Sequence, residues 1–256
     1  MRGGIAVWPV LFHIGDYAVH SYGVMLAVAV MAGVLAGERE AGRRGIDPDY
    51  VFNLAAILVI SGIIGSRIAY VLIEWPRFAG EPGAVLRIWD GGLSYYGALI
   101  AGLPLLWLYG RAKGVRFGEA ADIAALGLAA GYPLARIGCF LNGCCYGKPA
   151  DLPWAVAFPF DGVPRHPTQL YAVAIGIVIF LALRHLSKQK RFPGELAYLY
   201  LIFYGTYRFG IEFLRVSPPA GAYLTLGQVF SLAVVCLAVT LLILRVRALQ
   251  KQPFDR

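Results

Sequence analysis

Three arginines interrupt apolar stretches of the sequence, and their chemistry is the first indication of what the chain handles. They are Arg67, Arg136 and Arg208. A guanidinium cannot be deprotonated in a protein, and at membrane depth such a charge usually faces a bundle interior or a wet cavity. Arg136 lies in the stretch 131–149, GYPLARIGCFLNGCCYGKP, which begins apolar and then breaks into Gly, Asn, Cys and Pro. The pattern indicates a membrane protein that handles an anion.

A second charged group follows Arg208. Glu212 and Arg215 come four and seven residues later, and these spacings place the three side chains on one face of a helix. Two interpretations stay open at this point. The group is either a structural ion pair that lets a charged helix enter the bundle, or a net positive site for phosphate, whose geometry matches the donor fork of arginine.

Three cysteines, Cys139, Cys144 and Cys145, suggest a metal site at first sight. Their spacing, C-x4-C-C, lacks a CxxC pair, and no histidine lies within twenty residues, so the spacing argues against zinc. Cys236 lies in an apolar stretch and is most simply a small packing residue. The sequence therefore predicts no metal ligands.

Polar residues also stand where apolar stretches begin. The segment RHPTQLY contains His166 and Gln169, and the earlier segment HSYG contains His20 and Tyr22. His166 is either an acid–base residue or an interfacial histidine that packs with its apolar body. A turn at Gly91 and Gly92 permits close backbone approach to an anion, although many membrane spans begin with such a turn.

The elements that carry these residues are predicted from the apolar runs. The chain has 256 residues, of which 59% are hydrophobic and 15% charged, far from the balance of a soluble domain. Runs of about 20 apolar residues predict membrane-spanning helices. Seven are expected in one all-α integral membrane domain, near 19–37, 52–74, 92–110, 119–142, 167–184, 195–214 and 225–246.

The distribution of Lys and Arg predicts the orientation. One set of loops with the carboxyl tail holds 14 of these residues and the opposite set with the amino terminus holds 6. The bias places the carboxyl terminus in the cytoplasm and the amino terminus outside, which seven spans allow. The net charge of +8 thus sets topology, and nucleic acid is not expected as a partner. The first apolar run is expected to be retained as a helix, because the segment before it is too long and too lightly charged for a signal peptide.

The outer loop 143–166 is the longest on its side and contains Trp154, Phe158, Phe160 and four prolines. Aromatic rings favour the membrane–water interface, so this loop is predicted to lie there. No internal repeat is evident in the sequence.

Taken in order, these pieces resemble the prolipoprotein diacylglyceryl transferase family of the bacterial inner membrane. The matching stretches are HSYG (20–23), GSR (65–67), WDGGLSYYGALIAG (89–102), ARIGCFLNGCCYGKP (135–149), RHPTQLY (165–171), YRFGIEFLR (207–215) and LTLGQVFS (224–231). They extend over almost the whole chain, and in combination they are specific. The seven-span fold of that family, with its amino terminus outside, agrees with the orientation expected from the loop charges.

The resemblance implies transfer of the sn-1,2-diacylglyceryl group from phosphatidylglycerol to the lipobox cysteine of a prolipoprotein signal peptide, with release of glycerol phosphate. The expected partners are this lipid, the signal peptide and the bilayer, from which the cavity should open laterally, and no cofactor is implied. By resemblance the expected catalytic residues are Arg136, Arg208, Tyr96 and Glu212. The expected substrate-binding residues are Arg136, Asn142, Gly147, Tyr22, Arg215, His166, Gln169 and Gly97.

The chain departs from the family pattern at Tyr96, where many members carry a histidine proposed as the base. An unperturbed tyrosine, with a pKa of about 10, is a poor base near neutral pH. Cys139 and Cys144 also replace polar residues of the family signature. Two alternatives therefore stay open: a divergent lipid or headgroup transferase, and an organic-anion transporter that uses the same arginines, although the internal repeat common in transporters is not seen.

Overall fold

The structure is a computed structural model that describes residues 7–88, 91–216 and 224–250. Seven long helices follow one another: α1 (Ser21–Gly42), α2 (Pro48–Ile73), α4 (Tyr95–Ala112), α5 (Phe117–Leu141), α6 (Thr168–Leu186), α7 (Glu195–Ile211) and α8 (Leu226–Gln250). A short helix, α3 (Trp75–Phe78), follows α2, and 3-10 turns cover Pro82–Leu86, Ser187–Gln189 and Glu212–Leu214. Each predicted span corresponds to one long helix, with ends that differ by a few residues.

Within the described ranges, five helices are long and apolar enough to cross a membrane. They are α1, α2, α5, α6 with its 3-10 extension to Gln189, and α8. The all-α, multi-pass membrane architecture predicted from the sequence is therefore supported. Helix α4 has 18 residues with Pro104 inside it, and α7 has 17 residues that include four tyrosines. Membrane crossing by these two helices, and the side on which each terminus lies, stay predictions.

Helix α5 lies at the centre of the bundle and packs against α1, α6 and α7. Near its first turns, the buried Ile123 contacts a cluster that includes Val51 and Leu54 of α2. Helices α1 and α5 come together backbone to backbone, since a Cβ on Gly33 would lie 2.9 Å from the carbonyl oxygen of Gly127. Small residues allow such approach between membrane helices, and this packing fixes the direction of α5.

A buried carboxylate stabilises the basic end of the bundle. Asp122 of α5 is fully buried and accepts hydrogen bonds from Arg44 (3.2 Å) and Lys190 (2.9 Å). It also accepts from the backbone N–H groups of Gly194 (2.9 Å) and Ala197 (3.0 Å), where α7 begins. One side chain thereby joins α1, α5 and α7 and caps α7, as an acidic group at a helix amino terminus does.

Arg67 has a different role from the one expected of it. Its side chain is 7% exposed, and its guanidinium donates five hydrogen bonds of 2.6–3.1 Å to backbone carbonyls. The acceptors are the carbonyls of Ala84, Val85, Arg87, Gly91 and Gly92. Because a guanidinium has five N–H donors, Arg67 has none left for an anion. The expectation that all three apolar-stretch arginines serve an anion is wrong for this one.

Two small sheets were not expected from the sequence. Strands β1 (Val10–Ile14) and β2 (Tyr17–His20) form an antiparallel hairpin before α1, and β3 (Val156–Ala157) pairs with β4 (Pro164–Arg165) in the outer loop. In the segment 143–166, Phe158 is fully buried, whereas Trp154 and Phe160 are more than half exposed. The position of this segment at the membrane interface stays a prediction.

Candidate functional site

The carboxyl-terminal end of α5 carries the candidate site. The helix ends at Leu141, Asn142 forms its cap, and Gly143 adopts a left-handed conformation with φ +69°. Glycine has no Cβ and adopts this conformation without strain. The chain therefore turns back over the last helical turn, and the residues that follow Gly143 return toward Arg136.

Arg136 is half-buried on α5, and its side chain interacts with the hydroxyl group of Tyr132. Its guanidinium lies over the ring of Tyr132, 5.0 Å from the centroid, and Nη1 lies 4.0 Å from Sγ of Cys139. Among the described residues no carboxylate forms an ion pair with it. Because a buried charge is costly unless paired, this guanidinium is the best candidate in the site for an anion from outside the protein.

The three cysteines of the signature lie beside Arg136. Their Sγ atoms are all within 4.8 Å of one another, with Cys139 buried and Cys144 and Cys145 half-buried. Hydrogen bonds from the Cys139 and Cys144 thiols, with the positive charges of Arg215 and Arg136, hold the pKa of the Cys145 thiol far below its usual range. The spacing argued against a zinc site, a prediction that the structure leaves untested, and the turn at Gly143 brings the three thiols together.

Two further predicted residues border the same cluster. Tyr22 of α1 lies within electrostatic range of the three thiols and of Arg136, and its Cα packs against Gly138 of α5. The side chain of Asn142 contacts the Cys144 thiol. The structure therefore brings Tyr22, Asn142 and Arg136 together, and their roles in substrate binding stay predictions.

The start of α6 holds the cysteine loop in place. Gln169, which is 1% exposed, donates from Nε2 to the Cys144 carbonyl at 2.6 Å, while its own Oε1 has no hydrogen-bond partner. Thr168 donates from Oγ1 to the Cys145 carbonyl at 2.8 Å. Sequence reasoning selected Gln169 as a substrate ligand and missed Thr168. The adjacency of two hydrogen-bonding residues in the RHPTQLY segment was the available signal.

Gly147 lies where three segments of the chain meet. Its N–H donates to the His166 carbonyl at 2.9 Å, and it pairs with Arg215 across an isolated β-bridge. A Cβ at this position would lie 2.6 Å from the Leu214 carbonyl oxygen. The structure gives Gly147 a packing function, and its expected contact with substrate stays a prediction.

The second charged group is present, although the helix is shorter than predicted. Helix α7 ends at Ile211, and a 3-10 turn carries Glu212, so Arg215 lies beyond the helix. Arg208 forms a close ion pair with Glu212, whose Oε1 also accepts from Thr225 at 3.1 Å. Nε of Arg215 lies 4.0 Å from Oε2 of Glu212. Two guanidinium groups around one carboxylate leave the group positively charged, as the residue types indicated.

Tyrosines connect the two arginine groups. Tyr132 packs edge-on to Tyr204 with ring centroids 5.3 Å apart, and Tyr204 lies within electrostatic range of both Arg136 and Arg208. Tyr204 precedes Arg208 by one helical turn in the sequence, whereas the position of Tyr132 was not predicted. The wall between the arginines is therefore aromatic, and it offers hydroxyl groups as well as apolar faces.

Tyr96 and Gly97 occupy the first turn of α4. Tyr96 is about half exposed and packs edge-on to Phe230 of α8 with centroids 5.6 Å apart. Its neighbour Tyr95 lies within electrostatic range of Tyr204 and Arg208. Gly97 is a packing residue, since a Cβ there would lie 2.2 Å from a carbonyl oxygen of α2. Catalysis by Tyr96 and substrate binding by Gly97 stay predictions.

His166 ends the outer loop, and its ring lies against Tyr171 of α6. Its Nδ1 lies 3.3 Å from the hydroxyl of Tyr171, which also accepts a hydrogen bond of 2.8 Å from Trp154. These contacts fit the interfacial interpretation of His166 better than an acid–base role. Trp89 and Asp90, which open the predicted glycine-rich turn, lie outside the described residues.

Comparison with known proteins agrees with the resemblance carried by the motifs. A family model described as "Prolipoprotein diacylglyceryl transferase" matches residues 9–244. A protein of Methylococcus capsulatus named "Phosphatidylglycerol–prolipoprotein diacylglyceryl transferase" is 35% identical over 248 residues, which cover 93% of this chain and 95% of that protein.

Other relatives carry the same name. The protein of Solidesulfovibrio magneticus is 36% identical over 250 residues, covering 91% of this chain and 93% of its own length. That of Clostridium tetani is 32% identical over 237 residues, covering 90% and 95%. The matches extend over nearly the full length of both partners, so they concern the whole architecture rather than one motif.

Proposed function

The chain belongs to the prolipoprotein diacylglyceryl transferase family, and we propose that it transfers the sn-1,2-diacylglyceryl group of phosphatidylglycerol to the lipobox cysteine of prolipoproteins. It is a multi-pass membrane enzyme of the transferase class. The observation that carries the proposal is Arg136, a half-buried guanidinium without a carboxylate partner in the described part of the chain, beside a face of thiols and tyrosines.

The reaction is a displacement at carbon. The acceptor sulfur attacks the glyceryl carbon that bears the phosphate ester, the carbon–oxygen bond to phosphate breaks, and the thiol proton leaves. The products are a thioether and glycerol phosphate, and neither the lipid nor the peptide is oxidised or reduced. The step requires positive charge at the departing phosphate and help in forming the thiolate.

Arg136 is the group we assign to the phosphate. A guanidinium presents paired N–H donors that match phosphate oxygens, and those of Arg136 face no protein carboxylate among the described residues. Arg208 and Arg215 flank Glu212 and supply a second positive region. We assign this region to the lipid headgroup or to the departing glycerol phosphate.

An apolar cleft supports a lipid as the donor. It has a volume of about 350 Å³ and lies between α1, α2 and α5, with lining residues that include Leu26, Leu58, Leu128 and Ala135. Tyr132, whose ring lies under the Arg136 guanidinium, also lines the cleft, so we place the glyceryl end of the lipid on this side. The cleft is open on one side, which fits entry of a lipid from the bilayer.

The proposed location is the bacterial inner membrane with seven spans and an outside amino terminus. The loop-charge bias supports this orientation. Asp122 with its cations and Arg136 are 14 residues apart on α5, about 21 Å along the axis, so the basic cluster and the candidate site lie at opposite ends of that helix. The site is then at the outer face, where a signal peptide presents its cysteine.

The function is tested with purified protein in detergent, phosphatidylglycerol and a lipobox peptide with a single cysteine. We expect a mass gain of one diacylglyceryl group on that cysteine. Arg136→Ala should lower kcat/KM by about 10²- to 10³-fold, the usual effect of losing one preorganised donor. Arg116→Ala is the matched control, because it removes an exposed arginine at the opposite end of the same helix.

Two results would count against the proposal. No mass gain from phosphatidylglycerol, with an established transferase working in parallel, would exclude this donor and acceptor. Full activity in the Arg136→Ala protein would remove the assignment of Arg136 to the phosphate while leaving the reaction in place.

A further inference from the structure

The three signature thiols stand at nearly the spacing of metal ligands. The Sγ atoms of Cys139, Cys144 and Cys145 are all within 4.8 Å of one another, and all three cysteines are free. In a tetrahedral zinc site, with zinc–sulfur bonds of about 2.3 Å, the sulfurs are about 3.8 Å apart. Small side-chain rotations therefore suffice to place all three sulfurs on one ion.

The backbone fixes the position of these thiols. The Cys144 N–H donates to the Cys139 carbonyl at 3.1 Å, while Gln169 and Thr168 hold the carbonyls of Cys144 and Cys145. Cys145 has φ +64°, and among the described residues it alone, apart from glycines, has a positive φ. A strained backbone persists where its surroundings determine it strongly, and such residues cluster at functional sites.

The ligand set leaves one coordination position open. In the described ranges the group consists of these three cysteines, with no fourth His, Cys, Asp or Glu close enough to join it. Structural zinc sites use four protein ligands, whereas catalytic sites use three and keep the fourth position for water or substrate. Thiolate ligands select soft cations, among them zinc.

We propose that Cys139, Cys144 and Cys145 bind one zinc ion as thiolates, and that its open position takes the acceptor cysteine of the prolipoprotein. This inference rests on the proposed function and supplies the step for which Tyr96 is a poor base. A thiol that coordinates zinc is deprotonated outright, so no side chain has to act as general base.

The acceptor thiol binds zinc and releases its proton to solvent, and the zinc-bound sulfur then forms the bond to the glyceryl carbon. The carbon–oxygen bond to phosphate breaks with its electron pair on the oxygen, and glycerol phosphate leaves. The thioether product is a weaker zinc ligand than a thiolate and dissociates. Zinc stays divalent throughout, so no oxidant or reductant is required.

Charge and distance agree with this assignment. Zinc with three protein thiolates and the acceptor thiolate carries a charge of −2. Arg136 lies 4.0 Å from the Cys139 sulfur, and Arg215 lies within electrostatic range of Cys145, so two guanidinium groups stabilise this negative charge. An attacking sulfur and a leaving oxygen stand on opposite sides of one carbon. A nucleophile bound beside Arg136 is therefore within reach of a phosphate held by Arg136.

The direct test is metal binding by the full-length protein in detergent. We expect one zinc per chain after equilibration with zinc chloride. X-ray absorption should show three sulfur ligands and one lighter atom, changing to four sulfurs when the lipobox peptide is added. A peptide with serine at the lipobox position should leave the three-sulfur spectrum unchanged. Absence of zinc, disulfide bonds between these cysteines in place of zinc, or no change with the cysteine peptide would each overturn the proposal.

Activity gives an independent readout. Removal of zinc by a chelator should lower transfer at least 100-fold, and zinc chloride should restore it. Cys144→Ser should bind zinc more weakly and lose transfer, whereas Cys236→Ser, an exposed cysteine on α8, should retain both. If Cys144→Ser fails to fold, the absorption experiment on the unmodified chain still decides.

The two proposals fail differently. Full transfer by zinc-free protein would overturn the zinc site and leave the transferase in place. Zinc-loaded protein that binds the peptide sulfur but transfers nothing from phosphatidylglycerol would support the metal site and overturn the proposed donor.

Discussion

Replacing Arg67 with lysine separates a structural arginine from a lipid-binding one. Arg67 donates five hydrogen bonds to carbonyls of the segment 84–92, which leads into α4. Lysine keeps the charge but has three N–H donors on a single nitrogen. At least two of the five carbonyls must then lose their donor.

The expected magnitude follows from the number of lost bonds. Each buried group left without its partner costs about 1–3 kcal/mol, so Arg67→Lys should destabilise the protein by roughly 2–6 kcal/mol. For a chain of this size, 1 kcal/mol corresponds to about 2–4 °C in Tm, so we expect a fall of at least about 4 °C. The KM for phosphatidylglycerol, measured below the new Tm, should stay within about twofold, because no donor of Arg67 is free to bind the lipid.

The assay is thermal unfolding in detergent together with initial transfer rates at several lipid concentrations. Arg77→Lys is the control, because Arg77 is exposed and donates one bond of 3.1 Å to the Tyr70 hydroxyl; its Tm should change by less than about 1 °C. An unchanged Tm in Arg67→Lys, combined with a tenfold rise in KM, would refute the reasoning and return Arg67 to the lipid site.

Two further substitutions test the packing that positions the site. Gly97→Ala would place a Cβ 2.2 Å from the Gly65 carbonyl oxygen. We expect α4 to move by about 1 Å and kcat/KM for transfer to fall by about 100-fold. The control Gly102→Ala, whose Cβ would meet only ordinary contacts, should retain activity. Asp122→Asn leaves an arginine and a lysine facing a neutral amide and should destabilise by about 3–5 kcal/mol. Unfolding curves like those of the parent protein would show that the buried carboxylate contributes little.

The sequence predicted the helices well, because long apolar runs with turn residues between them carry the signal directly. Helix α2 is an example: Pro48 is its first residue, and Asp47 caps it by accepting from the Asp49 N–H at 2.9 Å. The hairpin β1–β2 was not predicted, because strands of five and four residues carry little pattern of their own. Arg215 was assigned to a helix because periodicity alone does not show where α7 tightens into a 3-10 turn.

The sequence indicated which residue types form the candidate site, but not how the backbone arranges them. The sequence did not show that Arg67 and Arg136 have different roles. The partners of Arg67 are backbone carbonyls, and because every residue has a backbone carbonyl, no side-chain pattern reveals them. The cysteine cluster was hidden for a related reason. Spacing rules assume a familiar ligand loop, whereas here the left-handed Gly143 and Cys145 return the chain to Cys139. Both features depend on backbone geometry, which side-chain patterns do not encode.

The three arginines of the apolar stretches differ in their protein partners, and only Arg136 is left to bind an anion from outside the protein. A buried charge needs partners, and the chain supplies them in three different ways. Arg67 is saturated by carbonyls, Arg208 is paired with Glu212, and Arg136 has an aromatic face and a sulfur at 4.0 Å. An aromatic face attracts a cation but accepts few of its N–H groups. Among the described residues no carboxylate completes that set, so a phosphate that reaches Arg136 replaces no protein partner and gains a donor fork held in place by α5.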